Sequence, residues 1–205
     1  MGATPSKSRP PLRPSFVVGI GGSAGGLNAY KAFLDALLAD TGMAFVIISH
    51  IHPTANSQLA KILSRHTQMP VLLASMAMPI ERNHVYVIPP DSDLFIENFA
   101  FRMVSPRSQR NVQINLFFIS LAEALGVRAI GIIFSGYDGD GAQGCKHLKL
   151  KGGVTFAQDS SAEVNEMPRS AVATGCVDFV LPPEKIPDEL QKLVDRFRSG
   201  PSPSE

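Results

Sequence analysis

The sequence predicts an α/β fold with a doubly wound, mostly parallel sheet, flanked by helices and carrying one short antiparallel hairpin. Three apolar runs indicate strands buried on both faces: residues 16–20, residues 44–49, and a run that starts near Val127. After the first run, apolar residues recur at helical spacing, at Leu27, Tyr30, Phe33, Leu34, Leu37 and Leu38. Apolar strands that alternate with amphipathic helices are typical of a parallel sheet covered on both faces.

The turn after the first strand is rich in glycine and contains a single hydroxyl, that of Ser23. Gly21, Ser23 and Gly25 fit the pattern G-x-S-x-G, in which glycines allow a sharp turn and leave a nucleophilic serine exposed above the sheet. Two other interpretations stay open here. Gly19, Gly21 and Ala24 loosely fit a dinucleotide-binding loop, and the serine could simply cap the helix that follows.

The second strand ends in His50, where a dinucleotide-binding fold would place an acidic residue for the ribose. This histidine argues against the dinucleotide interpretation. Because neighbouring parallel strands share one crevice at their carboxyl ends, we expect Ser23 and His50 to lie close together, as a nucleophile and its base. The alternatives are a structural histidine, or His52 as the base. A metal pair of His50 and His52 is not favoured, because the sequence places no third ligand nearby.

The third strand leads into a turn rich in glycine and aspartate, residues 135–142. We expect it to end at the same edge of the sheet, where an aspartate could orient the histidine and stabilise its charged form. Asp138 and Asp140 are both candidates from the residues alone. Alternatively, Asp-Gly pairs are ordinary turn formers and helix caps. A calcium loop is not favoured, because no glutamate follows at the required position.

The flanking segments set the predicted domain boundaries. Residues 1–15 are rich in proline and basic residues and are expected to form a flexible tail, as are residues 199–205, while residues 16–198 form one catalytic domain. Within the domain, residues 94–104 predict a short hairpin that turns near Asn98, as an antiparallel excursion on the sheet.

Five motifs in one order along the chain carry a resemblance to a known family. They are residues 21–26 (GGSAGG), residues 49–50 (SH), residues 84–90 (HVYVIPP), residues 135–141 (SGYDGDG) and residues 167–171 (MPRSA). Over about residues 16–190 the chain resembles the catalytic domain of chemotaxis receptor methylesterases, the CheB family. Residues 177–183 (VDFVLPP) most resemble the branch often fused to a receptor methyltransferase.

The resemblance implies a role for each matching residue. It identifies Ser23 as the nucleophile, His50 as the base and Asp140, rather than Asp138, as the orienting aspartate. It implies an oxyanion donor in the backbone around Tyr137. The further residues predicted to line the site are Gly22, Ala24, Tyr137, Asp138, Met167 and Arg169.

The surroundings of these residues depart from the usual family pattern. Tyr137 and Asp138 stand where relatives usually have Met-Gly or Thr-Gly, which adds bulk and a negative charge. Asn115 stands where an aspartate usually opens a helix near the site, and it keeps the capping capacity without the charge. Glu166 replaces a glycine.

The implied activity is hydrolysis of glutamyl methyl esters on chemoreceptors, with glutamine deamidation as a further activity. The alternative is a catalytically weak receptor-binding or regulatory module with the same fold. A third possibility is hydrolysis of a small diffusible ester. The resemblance implies a methylated chemoreceptor cytoplasmic domain as substrate and no cofactor. Fifteen tail residues cannot form a receiver domain, so if the chain is complete its control would come from a separate regulatory partner, from expression, or not at all.

Composition fits a soluble enzyme of the cytoplasm, and the resemblance implies a bacterial one. A net charge of +1 and 44% hydrophobic residues fit neither a disordered chain nor a strongly basic nucleic-acid binder. No run of about 18 apolar residues predicts a membrane span, and the N-terminus lacks the apolar core of a secretion signal. Cys145 and Cys176 suggest no disulfide framework, and both are expected to be small buried residues.

Overall fold

The computed structural model describes residues 12–50 and 58–199. This part of the chain contains nine strands: β1 (Val17–Gly22), β2 (Ala44–Ser49), β3 (Val71–Leu73), β4 (His84–Val87), β5 (Asp93–Glu97), β6 (Ala100–Val104), β7 (Ala129–Ile133), β8 (Val154–Gln158) and β9 (Phe179–Leu181). Its α-helices are α1 (Gly26–Asp35), α2 (Leu59–Leu63), α3 (Gln113–Leu125), α4 (Ala142–Leu150), α5 (Glu166–Val172) and α6 (Ile186–Arg198). None of these helices is long and apolar enough to cross a membrane.

Seven strands form one sheet in the order β3-β4-β2-β1-β7-β8-β9, and every pair in it is parallel. Successive residues of β1 face opposite layers. Val17 belongs to the hydrophobic cluster that includes residues of α3, α4 and α5, and Val18 belongs to the cluster that includes residues of α1, α2 and α6. Both faces of the sheet are therefore covered, and the predicted doubly wound α/β fold is confirmed.

The predicted hairpin is confirmed as β5 and β6, which pair antiparallel with Leu94 opposite Met103. Asn98 and Phe99 form its turn with φ angles of 52° and 60°, the positive values that a two-residue turn of type I′ requires. The hairpin is a separate two-stranded sheet and does not extend the main one. The reason is its apolar face, because Leu94 and Ile96 are buried in the core layer that contains α3.

The chain reverses its direction of winding at β1. The second strand, β2, pairs with one side of β1, and β7 returns to pair with the other side. Such a switch point leaves a crevice at the carboxyl ends of the central strands, which is the usual ligand site of open α/β sheets. The loops that carry Ser23, His50 and Asp140 all begin at this edge.

Residues 12–15 lie against the domain. The Arg82 amide donates to the Leu12 carbonyl at 3.0 Å, and the Ser15 amide donates to the Gly42 carbonyl at 2.9 Å. The rest of the predicted N-terminal tail and the C-terminal segment 200–205 lie outside the described residues.

Candidate active site

Ser23 follows the last residue of β1 in a turn fixed by backbone contacts. Its amide donates to the Ser135 carbonyl at 2.9 Å, which links the turn to the end of β7. Gly25 precedes α1 with a φ of 73°, a conformation that favours glycine. The first helical amide, that of Gly26, is bonded to the Ser23 carbonyl and not to its hydroxyl. The helix-cap interpretation of Ser23 therefore finds no support in the geometry.

His50 and Asp140 are joined by a short polar contact. Nε2 of His50 lies 2.8 Å from Oδ2 of Asp140. The histidine side chain is 8% exposed and the aspartate side chain is fully buried. The contact therefore lies in a largely desolvated place, where a charge-assisted hydrogen bond is strong.

The Asp140 carboxylate also accepts two backbone amides at the start of α3. Ile114 N donates to Oδ2 and Asn115 N donates to Oδ1, each at 2.9 Å. A helix N-terminus favours a negative charge, and an ionised carboxylate only accepts hydrogen bonds. We therefore assign the proton of neutral His50 to Nε2. Nδ1 then carries the lone pair, so the two ring nitrogens exchange the roles they have in the usual serine protease arrangement.

Asp138 approaches the other side of the same ring. Its Oδ2 lies 4.0 Å from Nδ1 of His50, and its side chain is 35% exposed. The backbone of Asp138 has a φ of 68°, in the left-handed region. His50 thus lies between two carboxylates, with one facing each ring nitrogen.

Asn115 caps a different helix from the one that the sequence indicates. It lies inside α3, and its side-chain oxygen accepts the backbone amides of Gly141 at 3.0 Å and Gly144 at 2.8 Å, at the start of α4. The expected capping capacity is present, but it serves the helix after Asp140. The physical reason is that α3 receives its cap from the Asp140 carboxylate.

Ser135 is a buried hydroxyl that the sequence analysis did not single out. Its Oγ donates to the Ala24 carbonyl at 2.8 Å and accepts the Val164 amide at 2.9 Å, while its own amide donates to Oε1 of Gln158 at 3.0 Å. It therefore ties the Ser23 turn, β7 and the loop before α5 to one another. A serine directly after a buried strand, in the same motif as Asp140, was the available signal.

The predicted lining residues fall into two groups. Gly22, Ala24 and Met167 adjoin Ser23. A Cβ placed on Gly136 would lie 2.7 Å from Cε of Met167 and 3.1 Å from Cβ of Ser23, so both side chains lie close to that glycine. Gly22 packs against the Tyr30 hydroxyl, whose pKa burial raises well above its usual value.

The second group of lining residues lies farther out. The Tyr137 side chain is 60% exposed, so it stands at the rim. Arg169 is exposed on α5 and lines a separate cavity of about 370 Å³, whose lining does not include Ser23, His50 or Asp140. Glu166, the first residue of α5, is exposed and its charge is solvated. The backbone oxyanion donor around Tyr137 stays a prediction.

No group of three potential metal ligands occurs among residues 12–50 and 58–199. The predicted alternative base, His52, lies outside the described residues.

Comparisons with known proteins find similarity to protein-glutamate methylesterases over most of the chain. The family model described as CheB methylesterase matches residues 18–190. A putative protein-glutamate methylesterase/protein-glutamine glutaminase of Leptospira interrogans is 36% identical over 178 residues, which cover 85% of this chain and 92% of the relative. A protein-glutamate methylesterase/protein-glutamine glutaminase of Pyrococcus horikoshii is 29% identical, and the match covers 95% of this chain and 55% of that protein.

A solved structure shares the fold. The crystal structure of the Thermotoga maritima CheB methylesterase catalytic domain matches with a TM-score of 0.79 at 26% identity. The match covers 87% of this chain and 98% of that domain. The range matched by the family model, residues 18–190, includes the three strand ends that carry Ser23, His50 and Asp140.

Proposed function

Because the chain belongs to the CheB methylesterase family, we propose that it is a protein-glutamate methylesterase that hydrolyses glutamyl methyl esters of chemoreceptors. The observation that carries the proposal is the contact of 2.8 Å between His50 and the buried Asp140, at the sheet edge where Ser23 follows the central strand. A serine, a histidine and a buried carboxylate on neighbouring strand ends are the groups that acyl transfer needs.

The first half of the reaction forms an acyl-enzyme. Ser23 Oγ attacks the ester carbonyl while its proton moves to Nδ1 of His50, and the Asp140 carboxylate stabilises the resulting imidazolium through Nε2. The tetrahedral oxyanion is held by backbone amides, with Tyr137 N as the proposed donor. Collapse of the intermediate breaks the ester C–O bond, and His50 returns the proton to the methoxide, which leaves as methanol.

The second half consumes water. His50 takes a proton from a water molecule that attacks the acyl-serine, and the proton is then given to Ser23 Oγ as the acyl bond breaks. The product is a glutamate side chain on the substrate protein. The same steps applied to a glutamine release ammonia instead of methanol, which supports a glutaminase side activity.

The substrate is a protein surface. The cytoplasmic domain of a methylated chemoreceptor is the proposed partner, and its location makes the cytoplasm the proposed compartment. No cofactor takes part in these steps. A separate regulatory protein is the proposed source of control.

The test is methanol release from a methyl-esterified receptor cytoplasmic domain by the native protein and by Ser23→Ala at equal concentration. We expect release by the native protein only, and His50→Ala should behave like Ser23→Ala. Equal release by Ser23→Ala would overturn the nucleophile assignment. Receptor binding without hydrolysis, unchanged in Ser23→Ala, would instead favour the binding-module alternative, and turnover confined to small esters would favour a small-ester hydrolase.

A further inference from the structure

Asp138 occupies an unfavourable backbone conformation that a glycine would adopt without strain. Its φ of 68° lies in the left-handed region, where a residue with a side chain is uncommon and aspartate is among those that tolerate it. A residue with a carboxylate thus occupies a position where the backbone conformation alone would favour glycine.

Hydrogen bonds fix both oxygens of this carboxylate. Oδ1 accepts the Asp140 amide at 2.9 Å, and Oδ2 accepts Nδ2 of Asn111 at 3.0 Å. With its orientation set in this way, Oδ2 lies 4.0 Å from Nδ1 of His50, beyond hydrogen-bond distance. Within the described residues, Nδ1 has no hydrogen bond, so its lone pair is not taken up by a neighbouring donor.

The distance decides what Asp138 can do to the ring. A fixed carboxylate at 4.0 Å attracts a positive charge on Nδ1 without occupying its lone pair. Neutral His50 gains little from this neighbour, whereas the imidazolium gains a second opposite charge. The field of Asp138 thus acts when Nδ1 is protonated, which is the moment when Ser23 attacks.

We propose that Asp138 is a positioning residue of this site, whose fixed carboxylate stabilises the His50 imidazolium through Nδ1 while Asp140 stabilises it through Nε2. The proton that leaves Ser23 Oγ resides on Nδ1, and both carboxylates stay deprotonated. The inference rests on Ser23 and His50 acting as nucleophile and base, as in the proposed function, and adds a second anion to the same step.

The competing explanation is purely structural. An aspartate whose side chain accepts the amide two residues later forms a common turn, and it stabilises that turn whether or not a histidine lies nearby. Asp159 provides the control, because its Oδ1 likewise accepts the amide two residues later, that of Ser161, at 3.0 Å. A variant at that position separates the effect of losing a turn aspartate from the effect of losing a charge beside His50.

The probe is a neutral alkyl fluorophosphonate, which phosphonylates an activated serine and needs no receptor. Asp138→Asn removes the charge while it keeps an acceptor oxygen and tolerance of the left-handed region, and Asp138→Gly removes charge and acceptor together. We expect both variants to label Ser23 about three- to fivefold more slowly than the native protein, as suits a partly exposed charge pair. Asp159→Asn should label at the native rate.

Salt provides a readout that a turn contact would not change. The native rate should fall part of the way towards that of Asp138→Asn as ionic strength rises to about 1 M, because salt screens the partly exposed Asp138 carboxylate while it screens buried charges less. The rate of Asp138→Asn should change much less. On the methyl ester, both Asp138 variants should lower kcat and leave KM unchanged.

Three results would overturn the inference. In the first, Asp138→Asn is labelled at the rate of the native protein while Asp138→Gly is labelled more slowly. In the second, either variant is labelled faster than the native protein. In the third, Ser23 of the native protein is not labelled at all. If the labelling pattern holds while methylated receptor is not hydrolysed, the proposed function fails and the role of Asp138 stands.

Discussion

Asp140 and Asn115 cap each other's helices. The Asp140 carboxylate accepts the Ile114 and Asn115 amides at the start of α3, and the Asn115 side chain accepts the Gly141 and Gly144 amides at the start of α4. The aspartate that contacts His50 is therefore also the link between two helices. A change at either residue should affect both the stability of the domain and the geometry of the site.

Replacement of Asp140 by asparagine should lower methanol release about 10³- to 10⁴-fold, as expected if the residue proposed to orient the base loses its charge. The amide group of the new side chain would also face at least one of the donors that now surround the carboxylate. We therefore expect a loss of about 1–3 kcal/mol in unfolding free energy, measured by urea denaturation.

Asp93→Asn is the control for that experiment. Asp93 is buried and accepts Nε2 of Gln113 at 2.8 Å and the Ser108 amide at 2.7 Å, but no hydrogen bond joins it to His50 within the described residues. The Asp93→Asn variant should lose about as much unfolding free energy as Asp140→Asn while keeping most of its methanol release. Equal activity losses in the two variants would argue that Asp140 acts through stability alone.

Asn115→Ala should lose about 1 kcal/mol of unfolding free energy, because two amides of α4 lose their acceptor. Asn115→Asp keeps the acceptor and adds a negative charge at the helix N-terminus, where such a charge is favourable. We expect its thermal midpoint to match or exceed that of the native protein. Calorimetry of the two variants checks this order, and a less stable Asn115→Asp would contradict it.

Gly136→Ala should reduce turnover far more than it reduces stability. The added methyl group would lie 2.7 Å from Cε of Met167 and 3.1 Å from Cβ of Ser23, and both are closer than ordinary contact. Overpacking of this kind costs about 1–3 kcal/mol, whereas a shift of about 1 Å in the nucleophile can cost about 10²-fold in rate.

The double variant Gly136→Ala with Met167→Ala separates these two effects. Removal of the methionine side chain relieves one of the two clashes, so the overpacking strain should be relieved in part. The clash with Ser23 remains, so kcat should stay low. Full recovery of kcat in the double variant would show that the added methyl group does not displace the serine.

Ser135→Ala should destabilise the domain by about 1–3 kcal/mol, because the partly buried Ala24 carbonyl and Val164 amide lose the buried hydroxyl that is their partner. Turnover should also fall, because the same hydroxyl anchors the turn that carries Ser23. The matched control is Ser120→Ala. Ser120 lies on α3, and its hydroxyl accepts the Ile96 amide at 3.2 Å. That variant should lose stability without a comparable loss of kcat.

Cys145 should resist alkylation in the native state. Burial raises the pKa of its thiol to about 12, and the thiolate is the reactive form. At about pH 7 to 9, well below this pKa, iodoacetamide should therefore label Cys176 first, since this residue is only partly buried. Mass spectrometry should find Cys145 labelled only after the chain is unfolded with denaturant. Labelling of Cys145 in the folded Cys176→Ser variant would contradict this expectation.

Hydrophobic pattern sufficed to predict the architecture. The runs around Val18, Val46 and Ile130 indicated buried parallel strands, and Asn98 indicated the hairpin turn. The pattern could not show that the hairpin packs on α3 as a separate sheet, because the partner of an apolar face is a matter of tertiary packing.

The candidate site was only partly predictable for a similar reason. Strand ends pointed to Ser23 and His50, but spacing could not distinguish Asp138 from Asp140. The distinction depends on which carboxylate meets Nε2 of His50, and this is set by two amides of α3 that are remote in sequence. Ser135 was missed because nothing local to a small hydroxyl reveals that it will bridge three segments.

His50 and Asp140 are 90 residues apart along the chain and meet only when β2, β1 and β7 are aligned. Contacts of such long range form late, because the chain must first close large loops. The reactivity of Ser23 should therefore report when the central strands have assembled. During refolding, reactivity of Ser23 towards a fluorophosphonate should rise only after helical circular dichroism has recovered, and the delay would time the closing of the central sheet.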